Sequence, residues 1–197
     1  MISDPCLKKL LEKAKTSNVN GTIEDIIKKL DGNAKVKINV SDKEEVLSNG
    51  IVVEGKATDY TYRDGTFSCS ILLNKGVLSN STQEYSIGTI IHETVHAYLQ
   101  YEAGNTDKHG TNHDEMAKSY VNSMSDYLLS LFPRLTSKDA TAIAWGGLQG
   151  TELWTESKKN DTFTYEGGQS MTYIEMARLL TAHRFGYADK GTSACAN

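Results

Sequence analysis

No stretch of this 197-residue chain approaches the ~20 consecutive apolar residues that a membrane-spanning helix needs. The opening residues, Met1 to Lys9, lack the apolar core of a secretory signal. An exported form would therefore take its signal from outside this chain, or the chain would be a domain of a longer one. Also missing is any long basic run: the net charge is -4 and the charges are interspersed, so a general nucleic-acid-binding surface is not expected. There is no internal repeat and no low-complexity segment. The cysteines are few and scattered: Cys6, Cys69 and Cys195, with no CxxC spacing, so a thiolate metal site is not implied. An odd count argues against a full disulfide framework. Compartment base rates favour three free thiols, and the alternative is one pair, Cys6 with Cys195, in an oxidising compartment.

What is present is enough apolar side chain, 39% of residues, for a real core. Asp4-Pro5 reads as a helix start, followed by Leu7, Leu10, Leu11 and Ala14 at helical spacing. Thr22 is placed to cap a second helix that ends at Asp31-Gly32. Val36, Ile38 and Val40 then alternate with polar residues as a half-buried strand. Asn49-Gly50 and Arg63-Asp64-Gly65 mark turns between extended runs, and Phe67 to Leu73 returns as an edge-like strand. From Gln83 the pattern is helical: one helix to about Tyr101, a polar loop to Asn112, and a second helix from about His113 to Phe132. Ser137 can cap a third, reaching Trp145. Glu156 to Gly168 reads as a loop or hairpin, and Ser170 can cap a last helix to about Phe185. Residues 1–197 are read as one α+β domain, whole or cut from a longer chain: a small, mostly antiparallel sheet followed by helices.

One helix carries the chemistry, in His92-Glu93-Thr94-Val95-His96. Residues four apart share a helical face, so the two imidazoles can ligate one metal ion. Glu93 sits beside the first ligand and can act as general base toward a zinc-bound water. Zinc lowers the pKa of that water from ~15.7 toward ~7 and polarises a scissile carbonyl. A catalytic zinc takes three protein ligands plus water. The candidates for the third are His109, His113, Asp114 and Glu115. The metzincin spacing fails, because Leu99 and Glu102 stand where it needs Gly and His. Glu115 has a thermolysin-like distance but shares its face with Lys118, Ser119 and Asn122. His113 lines up with Met116, Tyr120, Met124, Tyr127 and Leu131, the apolar stripe of its helix, and is preferred. His109, on the loop, is the alternative. His113, Asp114 and Glu115 also fit ordinary first-turn roles. Tyr120, on the same stripe, is a candidate donor to a tetrahedral oxyanion, against the plainer reading of a core tyrosine. Trp145-Gly146-Gly147-Leu148 reads as a helix end packed behind the site. His183 has no spacing partner and reads as an ordinary surface or core histidine.

His92-Glu93-Thr94-Val95-His96-Ala97-Tyr98-Leu99 resembles the HExxHAxL core of SprT-like zincins, in which a later HG dipeptide supplies the third histidine; His109-Gly110 matches it. The C-terminal zinc ribbon that such proteins tend to carry has no counterpart here. A second resemblance, best over residues 67–155, is to uncharacterised bacterial zincin-like domains that pair HExxHA with H-x-x-M-A-x-x-Y and W-G-G-L segments. His113 to Tyr120 and Trp145 to Leu148 match these, and this resemblance selects His113. Both imply a zincin-like fold and one Zn2+ per chain.

The expected function is that of a zinc metallopeptidase acting on a peptide or protein substrate. Two other readings stand beside it. One is a zinc-stabilised binding or adaptor domain without activity, against which the intact Glu93 argues. The other is a secreted toxin or effector protease domain. A secreted or periplasmic location follows if a signal or upstream region precedes this chain.

Overall fold

The structure is a computed structural model that describes residues 1–16, 21–104, 112–187, 189–193 and 195. Helix α1 (Pro5–Lys15) starts where Asp4 accepts hydrogen bonds from the Cys6 and Leu7 amides. It buries Leu7, Leu10 and Ala14. Helix α2 (Thr22–Asp31) begins at Gly21, which offers no capping side chain; Thr22 is its first helical residue rather than its cap. Ile23, Ile26, Ile27 and Leu30 form its buried face.

The main sheet holds β1 (Val36–Lys43), β4 (Gly55–Arg63) and β5 (Thr66–Asn74) in the order β1-β5-β4. β5 is antiparallel to β4 and parallel to β1. Between β1 and β4 stands the hairpin of β2 (Val46–Ser48) and β3 (Ile51–Val53). Its turn, Asn49-Gly50, has both φ positive, at 51° and 77°, as a two-residue hairpin with right-twisted strands requires. One expectation is corrected. The Phe67 to Leu73 strand is central, not an edge. Phe67, Cys69, Ile71 and Leu73 alternate as buried residues because that face packs on the helices, while both backbone edges are paired. The free edge on the helix side belongs to β4.

After α3 (Lys75–Leu78) comes α4 (Gln83–Ala103), whose cap Thr82 accepts from the Tyr85 amide. α4 is packed by α1, α2, α6, α7, α9, β4 and β5, and is buried over most of its circumference. The helix expected from His113 to Phe132 is two helices, α5 (Asn112–Ser119) and α6 (Val121–Leu131). They break at Tyr120, where φ -123° and ψ -14° leave the helical region. α5 turns toward α8 while α6 lies along α7, so one apolar stripe serves two directions.

The remaining elements are α7 (Ser137–Ala144), α8 (Glu152–Lys159), the β6 (Phe163–Tyr165) and β7 (Gln169–Met171) hairpin, and α9 (Tyr173–Arg184). Threonines, not the serines Ser137 and Ser170, cap α7 and α9. Thr136 accepts from the Asp139 amide, and Thr172 forms a reciprocal capping box with Glu175. α8, capped by Thr151, runs into the stretch expected to be loop or hairpin; the hairpin follows it. The architecture is α+β, with most strand pairs antiparallel, as expected.

Two ties hold α4 from its N-terminal end. His183 is a buried core residue, 1% exposed, between Thr82 and Asp139. Burial alone would push the Asp139 carboxyl up. Hydrogen bonds from His183 and Thr136 and the charges of His183 and Lys190 hold it below its ordinary value. The ionised Asp139 Oδ1 accepts from His183 Nε2 at 3.0 Å, and His183 Nδ1 stands in hydrogen-bond contact with the Thr82 hydroxyl at 2.9 Å. The second tie is the tail: the Gln83 amide donates to the Thr192 carbonyl at 2.7 Å, and Cys195 is joined to Cys6 with Cα atoms 5.6 Å apart. That disulfide corrects the expectation of three free thiols. The two termini meet because α1 and the tail both pack at α4.

Cys69 remains a buried thiol, pushed up to about 12 by burial. Denatured without reductant, the protein is expected to titrate one thiol per chain, and three after reduction; three before reduction would refute the pairing. Closing a loop of 189 residues constrains the unfolded chain strongly. Cys6→Ser is expected to cost roughly 2–5 kcal/mol in chemical denaturation.

Candidate metal centre and cleft

His92 and His96 lie one turn apart on α4, and their Nε2 atoms stand 3.1 Å from each other. α5 brings His113 against both. The ring centroids are 4.7 Å apart for His92–His96, 4.7 Å for His96–His113 and 5.5 Å for His92–His113. One ligand atom of each lies within 4.8 Å of the others, so the three can hold a metal ion. Burial presses on the charge state. His92 is 8% exposed, and burial, with His96 and His113 beside it, lowers its pKa well below the ordinary value. Burial likewise pulls His96 down to about 3, and burial lowers His113. Three imidazoles kept neutral by burial, with ring nitrogens close together, can hold a cation.

Glu93, the next residue after His92, turns toward β4, where it meets Gly55 and Ala57. It is 5% exposed, and its Oε2 accepts the Ala57 amide at 2.7 Å. Burial raises its pKa to about 8; the Ala57 hydrogen bond opposes the shift and the charge of Glu54 adds to it. The groups open onto one cleft of about 610 Å³, whose walls include Gly55, Ala57 and Tyr60 of β4, Ile143 of α7, and Gly146 and Gly147 just beyond it.

The other sequence candidates are placed elsewhere. Asp114 accepts from the Glu152 amide at 3.0 Å and so anchors the start of α8. Glu115 accepts from Ser119 on an exposed face. Tyr120, expected as an oxyanion donor, does not line the cleft. It sits at the α5–α6 break, among Tyr98, Glu115, Glu102 and Lys29, because the break turns the stripe away from the histidines. His109 lies outside the described residues.

Three contacts escaped the sequence reading. Gly147, at φ +80°, lies against His92: a Cβ there would stand 2.8 Å from the imidazole Cε1. Gly55 lies against Glu93, where a Cβ would stand 2.9 Å from Cγ. The Ala57 amide holds the carboxylate. Backbone approaches of this kind carry no side-chain pattern. The only available signal was a glycine where the helix-ending role of Trp145-Gly146-Gly147 needed just one.

A helical HExxH pair, a third histidine from the following helix and a strand edge beside the glutamate define a zincin-like α+β domain. The sequence model of the SprT-like family matches residues 12–132, which include all three histidines and Glu93. The chain belongs to the SprT-like family, a zincin-related group. No curated protein and no solved structure matches it. The family match ends before the Ile143–Gly147 wall of the cleft.

Because Gly147 occupies the left-handed region and touches His92, Gly147→Ala is expected to cost roughly 1–2 kcal/mol in backbone strain. It should also weaken metal binding about 10–100-fold, the loss typical when contacts orienting a ligand are disturbed. Gly150→Ala, with open space around the new methyl, is the matched control. Equal metal affinity in both variants, measured by competition with a chromogenic chelator, would show that Gly147 does not set the His92 ring.

Proposed function

We propose that this protein is a zinc-dependent peptidase in which His92, His96 and His113 hold one Zn2+ and Glu93 is the general base. The observation that carries the reading is the donor set together with Glu93. Zinc–nitrogen bonds of 2.0–2.1 Å in a tetrahedron put neighbouring nitrogens about 3.3 Å apart. The 3.1 Å between the His92 and His96 Nε2 atoms fits this, and the pair is buried and neutral. Zinc bound there would supply a Lewis acid that acidifies a water and polarises a carbonyl.

The remaining steps belong to the chain. Glu93 takes a proton from the attacking water and returns it to the leaving amine. A carboxylate beside the reacting groups can carry the proton in both directions. The Ala57 amide fixes one carboxylate oxygen and leaves the other for the proton. The β4 edge and the Gly146–Gly147 wall confine an extended polypeptide between them. A peptide or protein substrate is the partner this cleft suits. Residues 1–197 act as one domain, since one continuous core runs from Leu7 of α1 to Met176 of α9. The Cys6–Cys195 disulfide favours an oxidising compartment, outside the cytosol or in an exported product. Among the described residues no helix is long and apolar enough to cross a membrane.

The third ligand is tested by comparing His113→Ala with His109→Ala. His113→Ala should lose most of the zinc, leaving far less than one per chain after dialysis, while His109→Ala keeps it. The reverse result would move the ligand to the His109-Gly110 dipeptide.

The activity is tested with Glu93→Gln, which keeps the shape of the side chain but cannot accept the proton. The variant should fold, retain zinc, and lose hydrolysis of a peptide library by at least ~10²-fold, within the ~10²–10⁴ attributable to general-base catalysis. Equal cleavage by both proteins would remove Glu93 from the mechanism. Full zinc occupancy with no wild-type cleavage would favour a binding domain.

A further inference from the structure

Strand β4 should present a free backbone edge to the cleft, because β5 occupies only its other side. The Asn74 amide donates to the Glu54 carbonyl at 2.8 Å, so Glu54 faces the ladder. With side-to-side alternation in an antiparallel pair, Ala57 then turns its N–H and C=O outward. Neither outward group is open. The Ala57 N–H is taken by Glu93 at 2.7 Å, and the Ala57 C=O accepts from the Tyr60 hydroxyl at 3.0 Å.

A bulge makes the second contact possible. The β4–β5 register shifts between Thr58 and Thr61, so that Asp59 and Tyr60 together oppose Cys69. Asp59 adopts φ 55°, in the left-handed region that non-glycine residues enter at a cost. Without the extra residue, Ala57 and Tyr60 would lie on opposite faces of the strand. With it, Tyr60 returns to the helix-facing side, three residues from Ala57, and its ring stacks on the buried Phe67. Bulges beside active sites commonly re-aim a side chain in this way. Tyr60 itself lines the cleft.

We infer that Tyr60 is a positioning residue: through the β4 bulge its hydroxyl clamps Ala57, and Ala57 in turn holds the Glu93 carboxylate. The clamp also closes the outer edge of β4 at Ala57 to pairing with another chain. An extended polypeptide entering the cleft must take its backbone contacts on this edge from other residues. The catalytic part of the inference rests on the peptidase reading; the clamp does not.

The test uses the whole chain and two readouts. Amide hydrogen exchange by NMR is measured for Ala57, with Cys69 and Ile71 of the neighbouring ladder as internal controls. Glu93→Ala removes the acceptor and sets the full release of the Ala57 amide. Tyr60→Phe, which deletes one oxygen, should speed Ala57 exchange roughly 5–10-fold, as expected for a weakened hydrogen bond, with the controls unchanged. On a cleaved peptide, Tyr60→Phe should lower kcat about tenfold at unchanged KM and unchanged zinc content. Unaltered Ala57 exchange would overturn the clamp. So would equal loss of protection at Cys69 and Ile71, which would make Tyr60 a strut of the sheet. If wild-type protein cleaves nothing but Tyr60→Phe still frees Ala57, the peptidase reading fails and the clamp stands.

Discussion

Everything in this molecule is arranged around a helix that cannot face water. Helix α4 carries apolar side chains on nearly every side, and elements from both ends of the chain are needed to cover it. α1 and α2 cover it from one side, the sheet from a second, and α6, α7 and α9 from a third. The face that remains open bears His92, Glu93 and His96. Two imidazoles four residues apart on a buried helix must stand side by side, and the low-polarity surroundings strip them of charge. Burial thus keeps the imidazoles neutral, the charge state in which a histidine can bind a cation.

The same covering gives the histidines and Glu93 different neighbours. The Gly147 backbone presses against His92, and α5 delivers His113 to the pair, nearest His96. β4 receives Glu93 and gives it an amide partner. The three imidazoles and the Glu93 carboxylate thus lean on different elements. The ties at the N-terminal end of α4, through His183 and through the Cys6–Cys195 tail, lie far along the helix from the histidines. Their effect is to fix the helix as a body.

Local chemistry was legible in the sequence. Asp4-Pro5, Asn49-Gly50 and the HExxH spacing each specify a conformation within a few residues, and each took the expected form. What depended on distant partners was not. The stripe from His113 to Leu131 keeps one period across the Tyr120 break, since a change in helix direction leaves the apolar spacing intact. It therefore placed Tyr120 beside the histidines, where it is not. β5 was expected as an edge because it directly precedes the motif helix, where zincins supply a strand to line the cleft, yet its place in the chain says nothing about its neighbours along the hydrogen bonds, and β4 takes the edge. Thr172, three residues before Glu175, was the stronger capping signal than Ser170 and was passed over. Gly55, Ala57 and Gly147 act through their backbones, which no residue pattern reveals.

The central claim is that three imidazoles converge on one metal ion. X-ray absorption at the zinc edge of the zinc-loaded protein reads this directly. One zinc per chain with three imidazole nitrogens at about 2.0–2.1 Å is the predicted result. A zinc bound by only two imidazoles and a protein carboxylate, or a chain that takes up no zinc at all, would contradict it.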